Sequence, residues 1–220
     1  MFVHLVLIAL APDQQRRRDA LIPTIAAAAP GLGGILTSWV APVEGPVINA
    51  GQIVWRSGFA SEGAAAALPL DPVWRSQIAP LLDGAQMTTL GYRITRSAVR
   101  QAEGGIWRAL IFQVMPRGFP DIVQRLESGL LLMPRYVPTI RSWALSPVAT
   151  SSGGKAFTHV WEQEFEAIEG LTGPYMTDPV HWGVADAFFD AEHPDYIVDP
   201  QLIQVIGRID RTIILPAKAV

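Results

Sequence analysis

The chain contains no cysteine among its 220 residues. Disulfides, thiolate nucleophiles and cysteine-ligated zinc are therefore excluded, and cysteine usage gives no information about the redox compartment. Charged residues are also scarce, at 17%, and the formal net charge is −3. Because nucleic acids and membrane surfaces both attract clustered Lys and Arg, this composition predicts binding to neither. It favours a small molecule or a protein as the partner.

The sequence has no apolar run long enough to span a membrane. The apolar segment at the start, residues 2–11, is shorter than a spanning helix. The basic run Arg16-Arg17-Arg18 follows this segment, whereas a secretory signal carries its positive charge in front. We therefore predict that residues 2–11 form a core strand of a cytoplasmic protein.

Three short motifs recur in the same order about a hundred residues later, at nearly constant spacing. The pairs are Ser38-Trp39-Val40 with Ser142-Trp143-Ala144, Val54-Trp55 and Phe59 with Val160-Trp161 and Phe165, and Asp71-Pro72-Val73 with Asp178-Pro179-Val180. A period this long indicates duplicated domains and not a solenoid of short repeats. The sequence predicts two units, residues 1–98 and 106–220, joined by a linker over residues 97–105.

Apolar runs and turn residues predict the order β-α-β-β-α-β in each unit. In the first unit the predicted strands are residues 3–10, 35–43, 48–59 and 86–95, with a helix at 14–29 capped by Asp13 and helical pieces at 61–82. In the second unit the strands are 106–115, 139–145, 156–165 and 202–215, with helices at 120–133 and 178–191. Each sheet then has one face without helices, and we expect the two bare faces to pack together.

The second unit carries motifs that resemble a known family. They are Thr158-His159-Val160-Trp161-Glu162 with Phe165-Glu166, Tyr175-Met176-Thr177-Asp178-Pro179-Val180-His181, and Pro138-Thr139-Ile140-Arg141-Ser142-Trp143. Together they resemble the stress-responsive α/β-barrel (dimeric α+β barrel) family, in which Tyr-x-x-His-Pro-x-His is typical; here Asp178 replaces the first His. The resemblance implies an α+β fold in which two ferredoxin-like units form an intrachain barrel. We expect no cofactor, and a homodimer is the expected assembly beyond the single chain.

The resemblance also points to two catalytic residues. In the family's plant polyketide cyclase, the catalytic tyrosine and histidine resemble Tyr175 and His181. His181 would remove a proton from carbon next to a carbonyl, and Tyr175 would hold the developing enolate oxygen. Cyclisation, isomerisation and lysis share this first step. The alternative is structural: Tyr175 packs at a helix end, and His181 bonds to Asp178 or Asp186.

The first unit serves as a control for these assignments. It keeps the Trp, Phe and Asp-Pro frame, but the positions that match His159, Tyr175 and His181 are occupied by Ile53, Leu68 and Trp74. If those polar residues served only the fold, the first unit would need them too. We therefore predict a working site in the second unit and a degenerate one in the first.

Five further residues are candidates for substrate binding. Arg108 occupies the position at which the family has a histidine, and His4 occupies the matching position in the first unit. Arg108 would bind a carboxylate or phenolate of the substrate, or it would form a salt bridge at a strand end. His159 lies on the same strand face as Trp161 and Gln163. It would either line the pocket or be a histidine of the core. Trp161 also matches Trp55 in the repeat, and this match indicates a structural role in the core. The last two candidates are Asp178 and Trp182, whose indole beside His181 would face an aromatic ligand.

An acidic cluster near the end of the chain has no fixed ligand spacing. We interpret it as a solvated face and predict no metal site for its members, which are Asp186, Asp190, Glu192, His193, Asp195 and Asp199.

The function predicted from these residues is cofactor-independent proton transfer on a small aromatic or polyketide-like carbonyl compound. Two alternatives stay open: a cofactor-free monooxygenase of the same superfold, and a non-catalytic stress-associated oligomer.

Overall fold

The computed structural model describes residues 1–116 and 120–217, apart from the side chains of Asp13, Gln15 and Pro120. The predicted cap at Asp13 therefore lies outside the described side chains. Within the described part of the chain, no helix has the length and apolar character needed to cross a membrane.

The first half of the chain follows the predicted order. Its strands and helices are β1 (Phe2–Ala9), α1 (Arg18–Ala28), β2 (Ile35–Pro42), β3 (Ile53–Phe59), α2 (Glu62–Ala66) and β4 (Gln86–Tyr92). Shorter helical turns cover Pro12–Arg17, Ala29–Gly31, Leu68–Leu70, Trp74–Ile78 and Ala79–Leu82. The helix α2 begins where the Ser61 hydroxyl accepts the Ala64 N–H at 3.1 Å, which satisfies one free donor of the first turn.

The second half repeats this order after a short extra strand. Its elements are β5 (Arg96–Ala98), β6 (Ile106–Phe112), α3 (Pro120–Tyr136), β7 (Ile140–Ser152), β8 (His159–Phe165), α4 (Ile168–Gly170) and β9 (Ile203–Arg208). Between α4 and β9 lie two π-helical turns, Leu171–Tyr175 and His181–Ala185, and a 3-10 turn, Asp186–Phe188.

One antiparallel sheet contains strands from both halves, in the order β2-β3-β1-β4-β7-β8-β6-β9, with β5 added beside β7. The two ends of this order approach each other. The Glu44 N–H donates to the Ile206 carbonyl at 2.9 Å, and Ile48 exchanges two backbone hydrogen bonds with Gln204 at 3.0 and 2.9 Å. The sheet is thus nearly closed into a barrel, and the predicted α+β fold is confirmed.

Three apolar clusters stabilise this arrangement. The inner cluster lies inside the barrel and includes Leu5, Val54, Leu90, Trp107, Val160 and Val205. The first outer cluster packs β1 and β3 against α1, through residues such as Val6, Trp55 and Ile25. The second outer cluster packs β6 and β8 against α3, through residues such as Leu110, Trp161 and Leu130. Each fully buried Leu, Val or Phe contributes about 1.5–3 kcal/mol, so all three clusters are major sources of stability.

The predicted helix over residues 178–191 is observed as a shorter helical run over residues 179–188, in which α, π and 3-10 geometry follow one another. The carboxylate of Asp178 accepts the Val180 N–H at 2.9 Å and holds the chain in a turn before His181. Beyond Phe188 the chain reverses, because the Phe188 carbonyl accepts the N–H groups of Ile197 and Val198 at 3.1 and 3.0 Å. The helical run therefore begins after Asp178 and ends at Phe188.

Several predicted strand limits are also wrong. The strand predicted over 48–59 begins at Ile53, because Asn49 and Gly51 have positive φ angles of 53° and 71° that a strand excludes. The strand predicted over 139–145 continues to Ser152, because its second part pairs with β4. The strand predicted over 202–215 ends at Arg208, and β5 overlaps the first two residues of the predicted linker.

The remaining strand limits differ by a few residues. The strands predicted over 86–95, 106–115 and 156–165 are observed as β4, β6 and β8, each of which is shorter than predicted at one end. The predicted helix over 120–133 extends to Tyr136.

Candidate active site

Arg108, Tyr175 and His181 meet on the helix-covered side of the second half. Arg108 projects from β6 beside Gln163 of β8, Tyr175 ends one π-helical turn, and His181 begins the next. Arg108 and Tyr175 are 4% and 3% exposed. The His181 side chain is 13% exposed. The site is therefore largely shielded from water while one member stays accessible.

The Arg108 guanidinium is held by neutral groups. Its Nη1 donates to Gln163 Oε1 at 2.6 Å and to the Tyr175 hydroxyl at 3.3 Å. Its Nε and Nη2 donate to Gln204 Oε1 at 3.1 and 2.7 Å. No carboxylate among the described residues forms a salt bridge with it, so the strand-end salt bridge considered for Arg108 is wrong. A buried cation without a counter-ion favours an anionic or electron-rich ligand.

Tyr175 connects Arg108 with His181. The Arg108 Cζ lies 5.4 Å from the centre of the tyrosine ring. The rings of Tyr175 and His181 meet edge to face, with centroids 4.8 Å apart. Because the tyrosine oxygen accepts a hydrogen bond from Arg108, its own O–H remains a donor for another oxygen.

The surroundings of His181 favour a neutral imidazole. Burial lowers the pKa of His181, and the Arg108 charge lowers it further, while Asp186 and Asp178 act in the opposite direction. The Nδ1 atom lies 3.4 Å from Asp186 Oδ2. Burial also raises the pKa of the Asp186 carboxyl. A neutral imidazole with a carboxylate near Nδ1 is suited to accept a proton at Nε2.

Asp178 has a local structural role. Its carboxylate accepts the Val180 N–H at 2.9 Å, and its carbonyl accepts the His181 N–H at 2.9 Å. Asp71 makes the equivalent bond in the first half, where its carboxylate accepts the Val73 N–H at 2.8 Å. Asp178 therefore orients the turn that carries His181, and its place in substrate binding stays a prediction.

The structure does not bring His159 into this cluster. His159 lies opposite Phe112 on β6, whereas Arg108 lies opposite Gln163, four residues further along β8. Its ring stacks on Phe112 with centroids 5.1 Å apart, and its Nε2 lies 3.4 Å from Glu127 Oε1. Burial lowers the pKa of His159, while Glu127 opposes the shift. These contacts are those of a buried core histidine.

The two tryptophan candidates differ in exposure. Trp161 is buried and packs against Trp143, with ring centroids 5.7 Å apart. On β8 it lies two residues from Gln163 and therefore on the same face, next to the cluster. Trp182 is 62% exposed, so its indole lies mainly in solvent beside His181.

Sequence reasoning missed Gln204, and it mentioned Gln163 only for its facing. A fully buried glutamine on a strand is itself a signal, because such a side chain needs hydrogen-bond partners. Gln204 gave no signal, because its contact with Arg108 depends on β9 lying beside β6. Its Nε2 also donates to the Pro46 carbonyl at 2.8 Å, which links the site to the first half.

The members of the acidic cluster contact different partners. Asp186 faces His181, Asp195 pairs with Arg125, and Asp199 pairs with Lys155. Across residues 1–116 and 120–217, no three His, Cys, Asp or Glu side chains converge in a way that would hold a metal ion.

Residues 106–198 match the family model described as Stress responsive A/B Barrel Domain. This stretch contains all the motifs that indicated the resemblance, which is therefore confirmed for this part of the chain. The duplication, the likeness to a polyketide cyclase and homodimerisation stay predictions. No curated protein matches this chain in sequence.

Solved structures share the fold over nearly the whole chain. An anthrone oxidase-like protein has a TM-score of 0.70 and 11% identity, covering 100% of this chain and 96% of that one. A proposed monooxygenase of Fusobacterium nucleatum has a TM-score of 0.60 and 5% identity, covering 95% and 91%. One from Lactobacillus acidophilus has a TM-score of 0.55 and 7% identity, covering 96% and 93%. At these identities the likeness shows the fold alone.

Proposed function

We propose that this protein is a cofactor-independent acid–base enzyme that removes a proton from carbon next to a carbonyl. The substrate is a small aromatic or polyketide-like compound. The observation that carries the proposal is the contact of His181, whose pKa is lowered by burial, with a tyrosine whose hydroxyl accepts a hydrogen bond from the buried Arg108. Base, oxygen donor and cation thus lie together in a water-shielded layer.

In the proposed step, His181 Nε2 takes the proton and the Tyr175 O–H donates to the carbonyl oxygen as it becomes an enolate. Asp186, 3.4 Å from Nδ1, balances the imidazolium that forms. Arg108 stabilises the enolate through Tyr175, because its Nη1 donates to the tyrosine oxygen. Fixed donors of this kind act where charge develops, and a positioned general base contributes roughly 10²–10⁴-fold in rate. The proton then returns during ring closure, isomerisation or lysis.

The experiment is deuterium exchange at the α-carbon of aryl ketones, starting with 4-hydroxyacetophenone, followed by NMR in D₂O. We expect exchange that depends on the protein. Tyr175→Phe is expected to slow it by about tenfold, because one hydrogen bond to the developing charge is lost and the ring contacts stay. Exchange that proceeds at the same rate without the protein would reject the proposal.

A second candidate is cofactor-free oxygenation of the same class of compound. It is favoured by the structural likeness to an anthrone oxidase-like protein over the entire chain. The first step is the same proton abstraction; the carbanion then forms a carbon–oxygen bond with O₂, a CH₂ group becomes C=O, and the second oxygen atom leaves as water. Turnover without oxygen supports the acid–base function, whereas stoichiometric oxygen uptake supports the oxygenase.

A further inference from the structure

Two buried donors beside the cluster have no hydrogen-bond partner among the described residues. They are the indole Nε1 of Trp161 and the amide Nε2 of Gln163. Both side chains are fully buried, at 0% exposure. Both lie on the helix-facing side of β8, two residues apart. Buried donors normally find an acceptor, so two neighbouring ones without any require an explanation.

The orientation of the Gln163 amide is fixed by its neighbour. A guanidinium only donates, so the Gln163 atom that meets Arg108 Nη1 at 2.6 Å is the oxygen. The NH₂ group must therefore point away from Arg108. A rotated amide would place two donors against each other, and it would not satisfy either group.

The equivalent positions of β3 show how the fold supplies hydrogen-bond acceptors to side chains whose role is structural. Trp55 occupies the slot of Trp161, and its Nε1 donates to Ser38 Oγ at 2.9 Å. Ser57 occupies the slot of Gln163, and its hydroxyl donates to the His4 carbonyl at 3.2 Å. These strand positions thus have internal acceptors in the first half, whereas no acceptor in the described part of the chain reaches those of the second.

We propose that Trp161 and Gln163 are substrate-binding donors that receive two separate acceptor oxygens of the ligand. This inference rests on the proposed function and names its substrate class: a planar aromatic compound with both a ketone and a phenolic oxygen. The aromatic ring of this ligand packs against the aromatic side chains on the same sheet face, Trp143 and Phe165. The buried Arg108, held next to Gln163, favours an oxygen that carries partial negative charge.

The experiment is calorimetric titration with two probes of nearly equal shape. The first, 4-hydroxyacetophenone, has two acceptor oxygens, and the second, 4-methylacetophenone, has one. The wild type is expected to bind the first about threefold to tenfold more tightly, the effect of one hydrogen bond. The variant that removes the donor to the phenolic oxygen, either Trp161→Phe or Gln163→Glu, is expected to abolish this preference, and the other variant is expected to weaken both probes by a similar factor. Gln163→Glu keeps an oxygen for Arg108 and removes the donor, so the fold has no reason to fail.

Trp55→Phe is the matched control. It removes an indole N–H that already has an acceptor, so it should lower the melting temperature and leave the probe preference unchanged. Trp161→Phe breaks no internal hydrogen bond but leaves space in the second outer cluster, so it should lower the melting temperature by less than Trp55→Phe does. A larger loss in Trp161→Phe than in Trp55→Phe, together with an unchanged probe preference, would show that Trp161 is purely structural and would overturn the inference.

Three other results would also overturn it: no binding of 4-hydroxyacetophenone at millimolar concentration, equal affinity of the wild type for both probes, or an unchanged preference in both variants. The readout is independent of the chemical step. Protein-dependent exchange without the probe preference would reject this inference alone. The preference without exchange would reject the acid–base function and leave a ligand-binding site.

Discussion

Arg56 and Glu162 form a buried ion pair inside the barrel, with Nε donating to Oε1 at 2.6 Å. Arg56 lies on β3 and Glu162 on β8, so the pair joins the two halves of the chain. The same Oε1 accepts the Trp107 indole N–H at 3.0 Å, and Arg56 Nη1 donates to the Ile213 carbonyl at 2.9 Å. The pair therefore orients both halves and the segment that follows β9.

Removing one member of this pair should strongly destabilise the protein. Arg56→Met leaves the Glu162 carboxylate buried without its cation, and the expected loss is about 3–5 kcal/mol in the free energy of unfolding. The double variant Arg56→Met/Glu162→Gln should lose less than the sum of the two single changes, because no unpaired charge remains. Urea denaturation of the four proteins measures this coupling. Additive losses would mean that the two side chains stabilise the barrel independently.

Two matched substitutions test which half carries the chemistry. His181→Ala should lower the exchange rate by about 10²-fold or more with little change in stability, because a general base acts in the transition state. Trp74→Ala, which changes the first residue of the equivalent turn, should keep the activity of the folded protein. Trp74 is only half-buried and stacks on Trp55 with centroids 5.8 Å apart, so its loss should cost about 2 kcal/mol, below the value for a fully buried aromatic. Unchanged exchange in His181→Ala would end the assignment of this base.

The pH dependence of kcat/KM reports on His181 directly. Burial lowers the pKa of His181, so the free base persists and activity should fall only at a pH below the ordinary histidine pKa of 6.5. Asp186 is the main group that opposes this shift, so Asp186→Asn should move the acid limb to still lower pH. An acid limb that stays in place in Asp186→Asn would show that another group controls it.

A second histidine should make the stability of the fold pH-dependent. Burial lowers the pKa of His4 from 6.5 to about 4, and its Nδ1 has no partner among the described residues. The unfolded chain therefore binds the proton first, so stability is complete above about pH 6.5 and falls as the pH approaches 4. At pH 4.5 the expected loss from this group is about 2–3 kcal/mol.

The measurement for His4 is urea denaturation at pH 7 and pH 4.5, with His4→Leu as the comparison. The variant should lose less stability than the wild type between the two pH values. Equal losses in both proteins would mean that His4 remains solvated or gains a partner when it is protonated.

The sequence was most informative where the determinants are local. The motif resemblance singled out Tyr175 and His181, which the structure brings into contact, because the turn between them depends on neighbours such as Asp178, whose carboxylate bonds two residues away. The change from α to π geometry gave no such signal, since an apolar period of 3.6 continues through these turns. The extension of β7 to Ser152 depends on β4, which is distant in the chain, so no local pattern indicated it.

The polar surroundings of Arg108 illustrate the same limit. The motif comparison identified the slot of Arg108, but not the hydrogen bonds that neutral side chains supply to it. Gln163 and Gln204 reach it from strands on either side of β6, so their role follows only from the strand order.

The near closure of the barrel also affects how the chain folds. The contacts of Glu44 with Ile206 and of Ile48 with Gln204 join segments near opposite ends of the sequence. Such distant pairings slow folding, because loop closure costs entropy before the contacts form. Until they form, both ends of the sheet have unpaired backbone groups, which are templates for aggregation. Slow steps in refolding and losses at high protein concentration are therefore expected to arise from this seam between β9 and the segment that follows β2.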